Sequence, residues 1–399
     1  MARPTAWLIV PILAIAFLAL ACAPSASPSQ PPQPGGSQSS QAAGAGGSPG
    51  AAAASGSTAP AAGASGAPAG AAAFATVPPT PRVTIRAGGL GGAIDRGYFV
   101  GVDKGFYEEQ GLDLDVQTFR SAADMVPLLA TGRMDVGHGS TNPGFYNALA
   151  SGIPVKIVTD VTLMRAPEPG IHNSMSLIVR KDLVDSGQVR GVADLRGRKV
   201  AINGTGNLNH LQLKEVLAYN GLTLGDVDVT QVPFPDQMSA LGNGAIDAGI
   251  TVDPFITLAE ARGIAVPIFD VGQAMPGRPA QQLFYGPEFI QTQPDVGKRF
   301  IVGYLKALRY LEDAFTKGIN REEAIQLFID NTPLKDRALY DQMGFSYSET
   351  NGNVNLQALD KDQDFYLQQG MQKEKIAPEL LVDPTFAQYA VQVLGPYQP

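Results

Sequence analysis

Cysteine and tryptophan each occur once in the 399 residues, and histidine three times. One cysteine excludes a disulfide-stapled fold and a Cys-ligated zinc or iron–sulfur centre. Charge is missing from a long stretch, since no charged residue lies between Arg3 and Arg82. Setting Arg3 aside, residues 82–399 hold 28 of the 29 Lys and Arg and all 37 Asp and Glu, a net of −9 over 318 residues. That acidic balance, without a basic stripe, argues against nucleic-acid binding. The apolar run Trp7–Leu20 has 14 residues, short of the ~20 that span a membrane. Within residues 82–399 no phosphate-binding G-x-x-x-x-G-K-[ST], no H-E-x-x-H and no G-x-S-x-G occurs. What remains is a 318-residue segment, about two domains at roughly 150 residues each and ample to bury a core.

Residues 1–22 have a short basic start at Arg3, the apolar run, then small residues before Cys22. That is the pattern of a secretory signal. Leu18-Ala19-Leu20-Ala21-Cys22 resembles a bacterial lipobox, with Ala19 where Leu is usual. The resemblance implies that Cys22 becomes a lipidated mature N-terminus; the alternative is an uncleaved anchor with an idle Cys22. Residues 23–81 are Ala, Gly, Ser, Pro and Gln with almost no large apolar group. Such a segment cannot offset its ordering entropy, and its coil reach is roughly 40–45 Å. It reads as a disordered tether, or as a stalk carrying sugars on serine.

From Arg82 a strand–helix rhythm begins. Strands are predicted at Val83–Ala87, Leu112–Val116, Met134–Gly137 and Pro154–Thr159, with a Gly-rich loop at Gly88–Gly92 and a helix over Arg96–Gln110 ended by Gly111. Ser121 with Asp124 resembles a capping box for a helix running towards Thr131, with Pro127 in conflict inside it. The rhythm restarts with strands at Ser176–Arg180, Lys199–Asn203, Val227–Val232 and Ala245–Ile250. Helices are predicted at Leu208–Asn220, from Gln237, and at Phe255–Arg262. Two α/β units follow, the second over roughly 175–275. Val296, Phe300, Tyr304, Leu308, Leu311 and Phe315 form one apolar helical stripe. With further helices at Arg321–Ile329 and Leu356–Gln369, the C-terminal third is expected to pack back on the first unit.

Gly101–Val116 (GVDKGFYEEQGLDLDV), Pro127–Ser140 (PLLATGRMDVGHGS), Gly152–Val158 (GIPVKIV), Val192–Ile202 (VADLRGRKVAI), Leu217–Val229 and Ala240–Ala248 occur in one order. In that order they resemble the nitrate/sulfonate/taurine and thiamine-pyrimidine group (NMT1/THI5-like, SsuA-like) of solute-binding proteins that serve ABC importers. The resemblance implies the type II periplasmic-binding-protein fold: two α/β lobes, joined by two crossovers near 173–176 and 270–285, with a ligand cleft between them. It sets lobe 1 at 82–174 plus 276–399 and lobe 2 at 175–275. It implies no catalytic residue, cofactor or metal. The partners implied are a small-molecule solute, an ABC permease with its ATPase, and a membrane reached through lipid on Cys22, the receptor being exported to the outer face of the cytoplasmic membrane and monomeric.

Ligands in such folds meet strand carboxyl ends and helix N-termini. The loop after the first strand offers Gly92, Asp95, Tyr98 and Phe99, glycine for close backbone approach and aromatics for stacking. Ser140, Thr141 and Asn142 follow the Met134–Gly137 strand and open a helix carrying Tyr146, as ligand donors, as helix caps, or both. Asn173 and Ser174 lie at the expected hinge. Thr205, Gly206 and Asn207 precede a helix in the second lobe. Asp253, in an Asp-Pro that resembles the family's cleft-facing acidic-Pro pair, and Phe255 complete the candidates; Asp253 also fits a plain helix cap. His138, His172 and His210 are too widely spaced for an expected metal site, though His172 and His210 lie beside candidate loops. These loops are mostly neutral, with Arg96 and Arg165 the few basic residues. That composition points to a flat heteroaromatic or aromatic solute carrying at most one acidic group. Competing readings are a pyrimidine-precursor enzyme, which would need a Cys-rich iron motif, and an extracellular ligand sensor; porphobilinogen-using enzymes of this fold would need a cofactor-bearing Cys.

Overall fold

The computed structural model describes residues 82–167 and 173–398. The tether, the signal segment, Cys22 and His172 lie outside them. Eleven strands follow in chain order: β1 Val83–Gly89, β2 Leu112–Thr118, β3 Val136–Gly139, β4 Lys156–Leu163, β5 Met175–Arg180, β6 Lys199–Ile202, β7 Asp228–Gln231, β8 Ala248–Val252, β9 Ala265–Asp270, β10 Pro279–Tyr285 and β11 Tyr347–Ser348. They form a six-stranded sheet of order β11-β4-β10-β3-β1-β2 and a five-stranded sheet of order β7-β6-β8-β5-β9.

Both sheets follow one plan. In the first, β2, β1 and β3 run parallel and β10 inserts antiparallel between β3 and β4. In the second, β7, β6 and β8 run parallel and β5 inserts antiparallel between β8 and β9. Each antiparallel strand is the first one laid down after the chain changes lobe.

The two-residue strand period divides side chains between the faces of each sheet. In the second sheet Leu177, Val179, Val200 and Ile202 join one core cluster, while Ile178 and Ala201 join another with Leu241, Ile246 and Ile256. In the first sheet Ile85, Ala87 and Val136 face an aromatic core of Tyr98, Tyr107, Tyr285, Phe300 and Tyr304. The opposite face carries glycine, because the helix Ala122–Ala130 lies close against it. A Cβ on Gly88 would stand 2.6 Å from Met134 Sδ, and one on Gly137 3.2 Å from Leu129.

The predicted apolar stripe is realised in the helix Pro294–Thr316, which buries Phe300, Tyr304, Leu308 and Leu311. Four local expectations are corrected. The helix beginning at Arg96 stops at Asp103, because Gly105 takes φ +70; a separate 3-10 turn covers Glu108–Gln110 before Gly111 at φ +67. Ser121 caps the helix Ala122–Ala130 by position only, with no side-chain cap bond, so the capping box is not formed. The predicted Met134–Gly137 strand is shifted to Val136–Gly139. Residues 270–285 are not all crossover, since Pro279–Tyr285 is a fully buried strand.

The C-terminal third also reaches both lobes. β11 extends the first sheet, yet Phe365 on the helix Leu356–Gln368 meets His210 of the second lobe at a ring distance of 5.3 Å.

The helix Arg96–Asp103 packs so tightly on the helix Pro294–Thr316 that a Cβ on Gly97 would stand 2.6 Å from the buried Tyr304 ring. Gly97→Ala is expected to cost about 1–3 kcal/mol through overpacking. Urea unfolding would read this as a lower midpoint at unchanged slope.

Candidate functional site

The parallel strands of both sheets end at one cleft. β1 leads to Leu90, β3 to Ser140, Thr141 and Asn142, β6 to Asn203 and Asn207, and β8 to Asp253; all of these line it. The antiparallel β5 and β10 begin there instead, so Met175, Ala280 and Gln281 face the cleft from their strand starts. The cleft holds two adjoining chambers of about 80 and 160 Å³ that share Ile94, Met175, Phe234 and Gln281. A larger cavity of about 460 Å³ lies between the helix Leu208–Tyr219, residues Ala274–Arg278 and the helix Leu356–Gln368. It is walled mainly by these helices rather than by the loops that leave the parallel strands, and its charges are largely paired, Lys214 with Glu215 and Asp364 with Lys375. The cleft is therefore the candidate site.

Two helices from different lobes open on it. Asn142 caps the helix Pro143–Ala150, its Oδ1 accepting Phe145 N–H at 3.0 Å. Asn207 caps the helix Leu208–Tyr219, its Oδ1 accepting His210 N–H at 3.1 Å, while its Nδ2 donates to Asn203 Oδ1 at 2.9 Å. Ser140 donates to the Ala280 carbonyl at 2.6 Å, and Thr141 N–H reaches Gln282 Oε1 at 3.3 Å. Gln282 Nε2 in turn contacts buried Asp160 at 3.4 Å, whose other oxygen accepts Asn355 N–H at 2.7 Å. Burial pushes Asp160 up to about 7 against these bonds, with Glu349 adding to the rise.

Asp253 is buried at the end of β8. Its Oδ1 accepts Thr257 N–H and Oγ1–H, and its Oδ2 accepts Gly344 N–H at 2.8 Å. Burial pushes it up to about 6. It thus caps its helix and also ties the second lobe to Met343–Ser346, which lines one chamber. Ser174 lines the same chamber, its hydroxyl 2.6 Å from that of Ser346.

The remaining candidates sit elsewhere. Asp95 lies beneath the first loop and accepts Leu90 N–H, Gly91 N–H and His138 Nδ1. Burial alone would raise its carboxyl, but the His138 bond and the two backbone bonds outweigh that and hold it below the ordinary value. Tyr98 is core, its hydroxyl on the Gly88 carbonyl and its ring against Tyr304. Phe99 packs on Phe328, and Tyr146 is fully buried beside Phe145 and Tyr366. These aromatics are turned away because their helices bury apolar faces against the sheet or, for Phe99, against the helix Arg321–Asn331; Ile94 and Phe234 take the cleft instead. Asn173 bolts the crossovers together, bonding the Arg165 backbone and Asp270 on both sides. Thr205 is exposed, and Gly92, Gly206 and Phe255 are absent from the lining. Gln281, Thr162, Met175, Phe234 and Met343–Ser346 were not anticipated; only β10, read as a strand, could have signalled Gln281. His138 is buried beside Asp95, and among the described residues no three His, Cys, Asp or Glu gather as for a metal.

The NMT1/THI5 like family model matches residues 96–314, more than half the chain. The chain belongs to the NMT1/THI5 like family. The taurine-binding periplasmic protein of Escherichia coli (strain K12) is 26% identical over 200 residues, which are 50% of this chain and 57% of that protein. The chain thus matches a little over half the length of that curated relative. The 4-amino-5-hydroxymethyl-2-methylpyrimidine phosphate synthase of Uromyces fabae is 25% identical over 155 residues, 39% of this chain and 41% of that one. Among solved structures, the alkanesulfonate-binding protein SsuA from Xanthomonas axonopodis pv. citri, bound to MOPS, superposes with a TM-score of 0.58 at 17% identity. The superposition covers 77% of this chain and 99% of that one. The fold of this family member is that of type II periplasmic binding proteins.

A raised carboxyl means that the folded state holds a proton the unfolded chain has released. The resulting stability is present at low pH and is lost as pH rises through about 7 for Asp160 and about 6 for Asp253. Thermal unfolding is expected to show a falling midpoint from pH 5 to pH 8. Asp160→Asn is expected to flatten that fall and raise the midpoint at pH 8; an unchanged pH profile contradicts the assignment.

Proposed function

We propose that this family member is the extracytoplasmic solute-binding component of an ABC importer, taking a small, flat organic solute into the cleft between its lobes. The observation that carries the reading is the convergence of Asn142 and Asn207 on one chamber. They head helices in different lobes, so a solute meeting both brings the lobes together and leaves water. The chamber walls support an organic solute over a bare inorganic anion: Leu90, Ile94, Met175 and Phe234 supply apolar area, and amides and hydroxyls supply direction. Ser140, Thr141, Asn142, Ser174, Asn207 and Asp253 are the sequence candidates retained as ligand-facing, joined by Gln281 and Thr162. Lobe 1 comprises 82–174 with 276–399, and lobe 2 comprises 175–275.

The reading extends to the rest of the chain. Residues 1–22 export it, Cys22 carries lipid, and residues 23–81 tether the receptor near a permease and its ATPase. Tethering raises the local receptor concentration without any new contact. The solute-loaded monomer docks on the permease and releases its cargo.

The fungal synthase relative keeps an enzymatic reading in view. The receptor reading is supported by a cleft whose polar groups are mostly amides and hydroxyls, with Arg96, Arg120 and Asp253 its charged residues, and by His138, which is engaged by Asp95 and absent from the lining.

Native mass spectrometry of the purified protein is expected to show one bound small molecule, lost on unfolding and unchanged in mass on prolonged incubation. Readdition of that molecule should raise the unfolding midpoint. Stabilisation by nitrate or bicarbonate alone would sink the organic-solute reading, and a changing mass would favour the enzyme. For the anchor, Cys22→Ser is expected to move the protein from the membrane fraction to the soluble fraction; membrane retention of that variant contradicts lipidation.

A further inference from the structure

Gln281 lies where the two chambers of the cleft meet. Of the residues that line both, Ile94, Met175 and Phe234 are apolar and Gln281 is polar. It stands near the start of β10, and the pairing of β10 with β4 shifts register on either side of it. Such an irregularity re-aims a side chain out of the regular alternation of the strand. Gln281 is only 8% exposed, yet among the described residues its side-chain amide has no hydrogen-bond partner.

Its polar neighbours are engaged by the protein. Thr162, its partner across the ladder, accepts Arg96 Nη2 at 3.3 Å. Ser174 and Ser346 share a hydrogen bond of 2.6 Å, and Ser140 donates to the Ala280 carbonyl. In the second chamber Asn207 Nδ2 donates to Asn203 Oδ1, Asn209 Nδ2 donates to Gln212 Oε1 at 3.1 Å, and Gln212 Nε2 lies 2.9 Å from Met175 Sδ. The charged residues of the walls have partners too. Arg96 donates to Thr162 and to the Tyr347 carbonyl, Asp253 accepts from Thr257 and Gly344, and Arg120 lies 3.8 Å from Asp124 at the exposed rim. A buried amide without partners is costly until a solute supplies them.

A glutamine amide offers an acceptor oxygen and a donor nitrogen side by side in one plane. Its complement is a planar edge on which an N–H donor adjoins an acceptor, as in the –NH–C(=O)– of a cyclic amide or the amino-and-ring-nitrogen edge of an amino heterocycle. The same two-point match lets glutamine read the edge of adenine. We propose that Gln281 is the specificity-determining residue of the cleft, selecting a flat heterocyclic solute by two hydrogen bonds to such a neutral edge. Ile94, Met175 and Phe234 cover the ring that carries the edge. A ring of the same shape with its donor blocked leaves the Gln281 amide buried and unpaired, which is the strong form of rejection. The assignment rests on the cleft being the solute site.

Ligand-observed NMR titration of the purified full chain at pH 8.5 tests it with two pairs of probes. One pair is quinolin-2-one and its N-methyl derivative; the other is 2-aminoquinoline and 2-(dimethylamino)quinoline. In at least one pair the parent is expected to bind about tenfold more tightly than its methylated partner, and the pair that shows this tells which edge the site takes. Gln281→Met, close in length but without the amide, should erase the difference by weakening the parent and sparing the methylated compound; a merely structural role weakens both alike. Gln281→Glu supplies acceptors only. It should shift the balance about tenfold towards 2-aminoquinoline, which takes up a proton and then donates twice, and away from quinolin-2-one. Should Gln281→Met fail to fold by circular dichroism, the Gln281→Glu result decides. Equal binding within both pairs, no binding of any probe, or a difference that survives Gln281→Met overturns the assignment. A co-purified molecule without such an edge overturns it too, while leaving the receptor reading intact. Conversion of that molecule would instead count against the receptor and leave the discrimination by Gln281 standing.

Discussion

The chain crosses between its lobes twice, and that constraint sets the geometry of everything at the cleft. A strand entered from the hinge must start where its neighbours end. β5 and β10 therefore run antiparallel to the strands around them, each between two partners. All of β10 is buried, and its ladder on both edges closes the first sheet around it. Because both strands begin at the cleft, their first residues, Met175, Ala280 and Gln281, join the loops that leave the parallel strands. The crossovers are held side by side by Asn173 and by backbone bonds between Met164 and residues 277–278.

Around that frame, close packing dictates which residues can face solute. The first β-strand ends in Gly88 and Gly89, since Met134 and the Asp95 carboxyl occupy the space where their side chains would lie. Asp95 folds back to take Leu90 and Gly91 N–H groups and so shapes the loop ahead of the helix Arg96–Asp103. That helix then turns Tyr98 into the aromatic core beside Phe300 and Tyr304, and it leaves Arg96 and Ile94 on the cleft side. A largely apolar chamber with the Arg96 guanidinium on its wall is the product of the same packing that buries the aromatics.

The α/β rhythm was legible because strand alternation and helical stripes are local signals. Val83–Ala87, Lys199–Ile202, Leu208–Tyr219 and the stripe of the helix Pro294–Thr316 needed no tertiary knowledge. β10 was not legible, since a strand buried on both faces shows no alternation, and PAQQLFY carries two glutamines that look like loop. Loops at strand ends, expected from the α/β rhythm, contribute part of the cleft lining. Within them, Ser140–Asn142, Ser174 and Asn207 reach the cleft because each ends a strand or opens a helix at its rim. Tyr98, Phe99 and Tyr146 do not, since one turn into a helix the direction of each side chain depends on what that helix packs against.

Sequence alone determined the charge-free segment 4–81, the single Cys22, the two α/β units and the ordered motifs of the family. These are properties of composition, period and order along the chain. Tertiary structure decided that Gln281, Thr162 and Met343–Ser346 wall the cleft, that Asp253 holds a backbone amide 91 residues away, and that Arg165 meets Glu312 across 147 residues. Those facts depend on segments brought together only by the return of the chain across the hinge. Net charge at a point in space is a sum over such segments, and no stretch of sequence contains it.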